Sequence, residues 1–154
     1  MARAAEQAAE LALMGRTSSA AAGERALLQS AIGSADALGP AVLETLNDPG
    51  ACSRMMRTFV ENSASFVYAG FTPLNGMVDC TSRDDGIVHD VRDSPHYRAF
   101  LDNPGITITA TDSGAISGVP VVVVSQPLVS NNELIGYVAT SVSQALMRST
   151  HDPA

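Results

Sequence analysis

The chain has 154 residues, which is the size of one domain with a substantial hydrophobic core. Its net charge of −7 and its pI near 4.7 argue against nucleic acid as a partner, because there is no basic patch to replace the counterions of a phosphate backbone. No apolar run approaches the roughly 18 residues that cross a bilayer, so we expect no membrane span within this sequence.

The first 48 residues are predicted to form a stalk and a long helix. Residues 2 to about 16 are rich in alanine, which gives high helix propensity with little apolar surface to bury. Farther on, apolar residues recur every three or four positions and predict one buried helical face, formed by Leu28, Ile32, Ala35, Leu38, Val42 and Leu46. Gly39-Pro40 falls inside this pattern and predicts a kink or a break.

A second helix and two short strands are predicted next. A turn at Asn47 to Gly50 precedes a helix from about Ala51 to Ser63, with inward-facing Met55, Met56, Phe59 and Val60. Phe66 to Thr72 and Met77 to Thr81 are rich in strand-forming residues. Asn75-Gly76 lies between them, so we expect these two strands to pair as a hairpin.

A polar, aspartate-rich loop from Ser82 to Arg92 leads to a predicted short helix, Ser94 to Leu101. Ser94 is its expected N-cap, with proline in the first turn. The alternation of isoleucine and threonine from Ile106 to Thr111 predicts a third strand.

The stretch from Val119 to Ser143 is predicted to form the central hairpin, turning at Asn131-Asn132. Asparagine tolerates the left-handed backbone of a two-residue type I′ turn. Such a turn pairs residues whose numbers sum to 263, namely Val129 with Leu134, Gln126 with Tyr137, Val124 with Ala139 and Val122 with Ser141.

The two faces of this hairpin differ in polarity. One face should pack on helix, with Val121, Val123, Val129, Leu134, Val138 and Val142, and with Ser125 and Thr140 as its polar members. The other is mixed, with Val122, Val124, Ile135, Gln126, Tyr137 and Ser141, and fits either a small cavity or partial exposure to solvent. The predicted fold class is α+β, a five-stranded antiparallel sheet with long N-terminal helices packed on one face.

Several short runs, taken in order, resemble the Cache or PDC family of extracytoplasmic sensor domains. They are Asn75-Gly76 through Asp79-Cys80, the segment DSPHYRAF, Ser113-Gly114 to Val119-Pro120, the run VVVVSQPL, and Asn132 to Ser143. The resemblance covers roughly residues 50 to 147 and implies that the five-stranded antiparallel sheet is PAS-like. It implies a domain held between two membrane helices of a bacterial receptor, such as a sensor histidine kinase.

The chain departs from the family pattern at the positions of two charged ligand anchors. Ser94 stands where many members have an arginine, and Ser141 where amino-acid-binding members have an aspartate. His96 replaces an aromatic residue, and Tyr97 keeps the next one. Without these charges, strong recognition of a carboxylate or an ammonium group is lost, so a zwitterionic amino acid is a poor candidate ligand.

The resemblance places ligand contacts at the short helix and on the mixed face of the sheet. The candidate ligand-binding residues are His96, Tyr97, Arg98, Thr109, Thr111, Tyr137 and Ser141. Core packing for the tyrosines, ordinary strand propensity for the threonines and solvent exposure for Arg98 are the alternatives.

No catalytic motif is present, and we predict neither enzymatic activity nor a cofactor or metal ion for this domain. The histidines and the loop aspartates Asp79, Asp84, Asp85, Asp90 and Asp93 lack the spacing of a dedicated metal site, and a solvated face explains them better. A haem-binding domain with His96 as the iron ligand is a weaker alternative.

Cys52 and Cys80 are the only two cysteines. Spacing alone favours two buried free thiols, whereas the family resemblance implies a disulfide formed in an oxidising compartment.

The predicted function is ligand sensing in the periplasm, with the signal carried through the terminal helices. The expected organisation is a stalk and long helix over 1–48, a sensor core over 49–147 and a tail towards the membrane over 148–154. The expected partners are a small molecule, a second copy of the chain through the N-terminal helix, and flanking transmembrane helices. The alternative is a dimerisation or protein-interaction module of the same fold that binds no ligand.

Overall fold

The computed structural model describes residues 21–146, in which two long helices and a short helix accompany a five-stranded and a two-stranded antiparallel sheet. The predicted stalk over residues 2–16 and the tail over 148–154 lie outside the described residues. The helices are α1 (Ala21–Glu44), α2 (Pro49–Glu61) and α3 (Pro95–Asp102). The strands are β1 (Phe66–Pro73), β2 (Met77–Val78), β3 (Cys80–Thr81), β4 (His89–Asp90), β5 (Thr107–Thr111), β6 (Val121–Ser130) and β7 (Glu133–Ser143).

Five strands form one antiparallel sheet in the order β3-β1-β7-β6-β5, which confirms the predicted fold class. The long strand β7 lies at the centre and pairs with β1 on one side and β6 on the other. α1 packs across β6 and β7, and α2 packs on β1 and β3. Both long helices therefore cover the same face of the sheet, since they share one apolar cluster with it.

α1 buries the stripe that its sequence predicts. Leu28, Ile32, Ala35, Leu38 and Val42 are buried against the sheet, whereas Leu46 lies beyond the end of the helix and is 42% exposed. The helix does not break at Gly39-Pro40, because it continues through Pro40 to Glu44, and the alternative of a kink there stays a prediction. Pro40 and Asp36, one turn before it, are both exposed. Proline has no N–H to donate to the Asp36 carbonyl, and water can solvate that carbonyl instead.

The segment Ala22–Glu44 of α1 is long and apolar enough to cross a membrane by length and composition, contrary to our expectation from the sequence. A core helix of a globular domain satisfies the same criterion. Its buried stripe and the hydrogen bond from Thr140 Oγ1 to the Ala31 carbonyl (3.0 Å) assign it to the core of this domain.

The Asn75-Gly76 turn does not close a simple hairpin. Only the second part of the predicted strand, Cys80 and Thr81, pairs with β1. Met77 and Val78 instead pair with His89 and Asp90 in a separate two-stranded sheet. This small sheet closes the base of the loop over 82–88 and leads the chain into α3.

The central hairpin has the predicted turn but not the predicted register. Asn131 and Asn132 both have positive φ (52° and 65°), as a type I′ turn requires, and Val129 pairs with Leu134. Ile135 is then an extra residue, since the next pair is Leu128 with Gly136. The backbone of Gly136 has φ 152°, and a Cβ there would collide with the Thr72 carbonyl oxygen, so the bulge needs glycine.

This bulge changes the partners of the whole of β6. Val124 pairs with Thr140 and Val122 with Val142, where the sequence predicts Ala139 and Ser141. The predicted faces are therefore correct for the second half of β7. In β6 the two faces are exchanged, so the residues predicted to pack on the helices lie on the opposite face of the sheet. Val122 and Val124 pack under α1, whereas Val121, Val123 and Ser125 lie on the opposite side.

Candidate ligand-binding site

A cavity of about 310 Å³ lies on the face of the sheet opposite α1. Its floor is formed by β1, β5, β6 and β7, and its walls by the start of α3 and by the loop over 113–117. Eighteen of the described residues line it. The volume is at the lower end of the range for sites that bind small molecules.

Five of the seven predicted site residues line this cavity: His96, Thr109, Thr111, Tyr137 and Ser141. Ser141 is 2% exposed and Tyr137 is 4% exposed, so both are part of the floor rather than of the rim. Thr109 and Thr111 reach the cavity because Val123 and Val121, their partners on β6, face the same side.

Tyr97 and Arg98, the other two predicted site residues, do not line this cavity. Tyr97 is buried beside Phe100 in an apolar cluster, and its hydroxyl donates to the Leu74 carbonyl at 2.6 Å. Arg98 is exposed and pairs with Asp93 at 3.0 Å. Neither lines the cavity, because the rotation of α3 that brings His96 over the sheet turns the next two residues away from it.

His96 joins the cavity wall to the sheet. Its Nε2 makes a short hydrogen bond with Ser125 Oγ on β6, and its ring packs edge-on against Tyr137 with the centroids 5.5 Å apart. Burial disfavours the imidazolium and lowers the pKa of His96 to about 4. His96 is therefore neutral at physiological pH.

The neutral ring can hold its proton on either nitrogen, and the hydrogen bond to Ser125 decides between them. If the Ser125 hydroxyl donates to Nε2, the proton is on Nδ1 and only that N–H is without a partner. The opposite arrangement leaves two groups unsatisfied, the Ser125 O–H and the Nδ1 lone pair. The first arrangement costs less, so His96 Nδ1 is a hydrogen-bond donor.

The two tyrosines of the floor also stay neutral. Burial raises the pKa of Tyr137 to about 12, partly offset by a hydrogen bond with the Thr72 side chain. Burial also raises the pKa of Tyr68, and the neighbouring Tyr137 raises it further.

Six polar residues of the site are not among the predicted site residues: Tyr68, Thr72, Ser94, Ser113 and Ser117 in the lining, and Ser125 behind His96. Ser125 had a usable signal. A serine in a run of valines that is buried from solvent requires a hydrogen-bond partner, and His96 is that partner.

The loop over 113–117 is held in place over the cavity. Gly114 N donates to the Val119 carbonyl and Gly118 N to the Gly114 carbonyl, each at 2.9 Å. Arg83 Nη1 donates to the Ile116 carbonyl at 3.0 Å, and Arg83 is itself paired with Asp85 at 3.1 Å.

Four of the five loop aspartates, Asp84, Asp85, Asp90 and Asp93, pair with basic side chains. Asp90 pairs with Arg92 through two hydrogen bonds (2.9 and 2.7 Å), which lower the pKa of Asp90 to about 2. Asp85 accepts from His89 Nε2 at 3.0 Å as well as from Arg83. Within residues 21–146, no three potential metal ligands among His, Cys, Asp and Glu come together.

A disulfide on the other side of the sheet joins Cys52 of α2 to Cys80 of β3, with the Cα atoms 5.5 Å apart. Beside it, Ser53 Oγ donates to the Asp79 carbonyl and accepts from Thr81 N, both at 3.2 Å. The start of α2 is therefore attached to β3 by one covalent bond and two hydrogen bonds.

An antiparallel PAS-like sheet with helices on one face is the fold that the sequence predicts from its resemblance to Cache and PDC sensor domains. Solved structures of extracellular sensor domains share it. The sensor domain of E. coli DcuS has a TM-score of 0.69 and 12% identity, over 83% of this chain and 96% of that one. The sensor domain of the V. cholerae histidine kinase DctB has a TM-score of 0.65 and 10% identity, over 82% and 53%.

The ligand-binding domain of the Pseudomonas aeruginosa amino acid chemoreceptor PctC, solved with GABA, has a TM-score of 0.71 and 14% identity, over 97% of this chain and 69% of that one. The chain thus spans about half of the DctB structure and most of the DcuS one. At these identities the likeness establishes the fold. No protein-family model and no curated protein matches the sequence.

Proposed function

We propose that this chain is the extracytoplasmic ligand-sensing domain of a bacterial transmembrane signalling receptor, a sensor histidine kinase or a similar protein. The observation that carries the proposal is the cavity of about 310 Å³ on the face of the sheet that α1 leaves free. The fold is that of sensor domains, and one of them, PctC, was solved with a small molecule. The Cys52–Cys80 bond agrees with a periplasmic location, since disulfides persist in oxidising compartments.

The central strand β7 supplies a route from the cavity to the helix. Ser141 lines the cavity, and the adjacent Thr140 points to the other face and donates to the Ala31 carbonyl of α1. A ligand that favours one position of β7 also favours one position of α1, because both contacts belong to neighbouring residues of one strand. α1 would pass the shift towards the membrane, and a second copy of the chain pairing through the N-terminal helix would receive it.

A thermal-shift screen of small metabolites on the 154-residue chain tests this proposal. A ligand at 100 times its dissociation constant adds about 2.7 kcal/mol to the free energy of unfolding. For a domain of this size we expect a rise in Tm of about 5–10 °C. Amide chemical-shift changes should be concentrated on β7, on the start of α3 and on the 113–117 loop.

A screen in which no compound raises the Tm, together with a dimer in solution, would contradict ligand sensing. That pair of results would favour the alternative of an interaction module.

A further inference from the structure

The lining of the cavity carries no formal charge. Nine of its eighteen residues bear a hydroxyl group, and none is aspartate, glutamate, lysine or arginine. His96 is the remaining titratable group apart from the tyrosine hydroxyls, and it is buried and neutral. The wall is thus rich in hydrogen-bonding groups but supplies no counter-ion.

Arg83 reaches the loop over the cavity, and its charge is neutralised by an ion pair. The Arg83 guanidinium is half exposed, is paired with Asp85, and donates to the Ile116 carbonyl. That ion pair has no net charge to offer to a ligand. Asp93 and Arg98, near the start of α3, likewise pair with each other in solvent.

An ion that enters such a cavity loses its hydration and gains no opposite charge in return, which costs far more than desolvating a neutral polar group. An uncharged molecule loses less and can exchange its water contacts for the hydroxyl groups of the wall. The volume of about 310 Å³ corresponds to about ten water molecules of liquid, and hence to a ligand of about ten non-hydrogen atoms.

We therefore propose that the cavity selects an uncharged polar molecule of about this size and rejects carboxylates and ammonium ions of the same shape. This proposal rests on the proposed sensing function and names the class of ligand that would be sensed. Two buried polar atoms of lining residues, His96 Nδ1 and Ser117 Oγ, are without a partner. Both atoms are buried, so the ligand contacts the hydroxyl groups of the lining, each of which can donate and accept.

Isosteric pairs of probes test the proposal on the wild-type chain at pH 7. Benzamide and nicotinamide are compared with benzoate and nicotinate, and benzyl alcohol with benzylamine, by protein-observed NMR titration. We expect the neutral member of at least one pair to bind at the cavity at least tenfold more tightly than its charged counterpart.

Two variant pairs locate the binding and test the charge argument. Ala115→Trp fills the cavity from its exposed loop and should abolish binding, whereas Ala37→Trp, on the exposed side of α1, should not. Thr109→Asp introduces a carboxylate into the wall and should reverse the preference within the benzyl alcohol and benzylamine pair. Thr109→Asn has nearly the same shape without the charge and should keep the preference for the alcohol.

Two outcomes would overturn the inference, and they differ in what else they remove. If the carboxylates or the amine bind at the cavity as tightly as the neutral probes, the proposed ligand class is wrong but ligand sensing stands. If no probe of either kind binds at the cavity, the ligand class and this cavity as the sensing site both fall. The wild-type titrations decide between these outcomes even if a variant fails to fold.

Discussion

The Cys52–Cys80 bond is expected to supply a large share of the stability of the domain. The two residues are 28 apart in sequence, and closing a loop of that length removes chain entropy from the unfolded state worth about 3.6 kcal/mol at 25 °C. Single domains have a total free energy of unfolding of about 5–15 kcal/mol. We therefore expect the double variant Cys52→Ala/Cys80→Ala to fold but to be substantially destabilised.

Urea unfolding followed by circular dichroism measures this effect. With a slope of about 2 kcal/mol per molar urea, the midpoint should fall by about 1.8 M, and the Tm should fall by about 7–14 °C. Both cysteines are buried at 2% exposure, so the variant also loses sulfur packing. Wild-type protein and variant compared in a reducing agent report that packing loss alone, because neither is then cross-linked.

A difference between oxidised and reduced wild-type protein of less than about 1 kcal/mol would refute the reasoning, since the loop-entropy contribution would then be absent.

Three further predictions concern the core, His96 in the cavity wall, and Tyr97 beside the cavity. Val124→Ala, at a fully buried position under α1, should cost about 2–3 kcal/mol in urea unfolding, whereas Val129→Ala, at a position 51% exposed, should cost under about 0.5 kcal/mol. The free energy of unfolding should fall by up to about 3 kcal/mol between pH 6.5 and pH 4, because His96 binds its proton in the unfolded chain near its ordinary pKa but in the folded chain only at about 4. His96→Asn should remove that part of the pH dependence, and an unchanged profile would show that His96 is not buried as described. Tyr97→Phe should cost about 1–2 kcal/mol by leaving the Leu74 carbonyl unpaired, yet should bind ligands normally; weakened binding would restore Tyr97 to the site.

Local signals in the sequence were sufficient for the order of the long helices and strands and for the turn of the central hairpin, but not for the small sheet of β2 and β4. Asn131 and Asn132 adopt the positive φ that their side chains tolerate, and the apolar periodicity of α1 matches its buried stripe. These features depend on residues close in sequence. The antiparallel sheet with helices on one face was predicted from the order of the elements, in which two helices precede a series of short strands.

The register of β6 and the orientation of α3 depend on contacts distant in sequence. Gly136 inside a strand was the available sign of a bulge, but only its approach to the Thr72 carbonyl shows why it is needed. For α3, the sequence places His96 and Tyr97 equally well over the sheet. The Ser125 hydroxyl and the Leu74 carbonyl decide which ring faces the cavity, and neither partner can be inferred from the helix itself.

The bulge at Ile135 also determines how the hairpin can change in length. Beyond the bulge, the cross-strand pairs run from Leu128 with Gly136 to Val121 with Ser143. These are the pairs that a regular hairpin would form if β7 lacked Ile135. Deleting Ile135 would therefore leave those pairs intact, and with them both faces of the sheet. Deleting a residue farther along β7, such as Val138, would instead turn Ala139 and Ser141 towards α1 and remove them from the cavity. Natural variation in the length of this strand should accordingly be tolerated near the turn and excluded between Gly136 and Ser143.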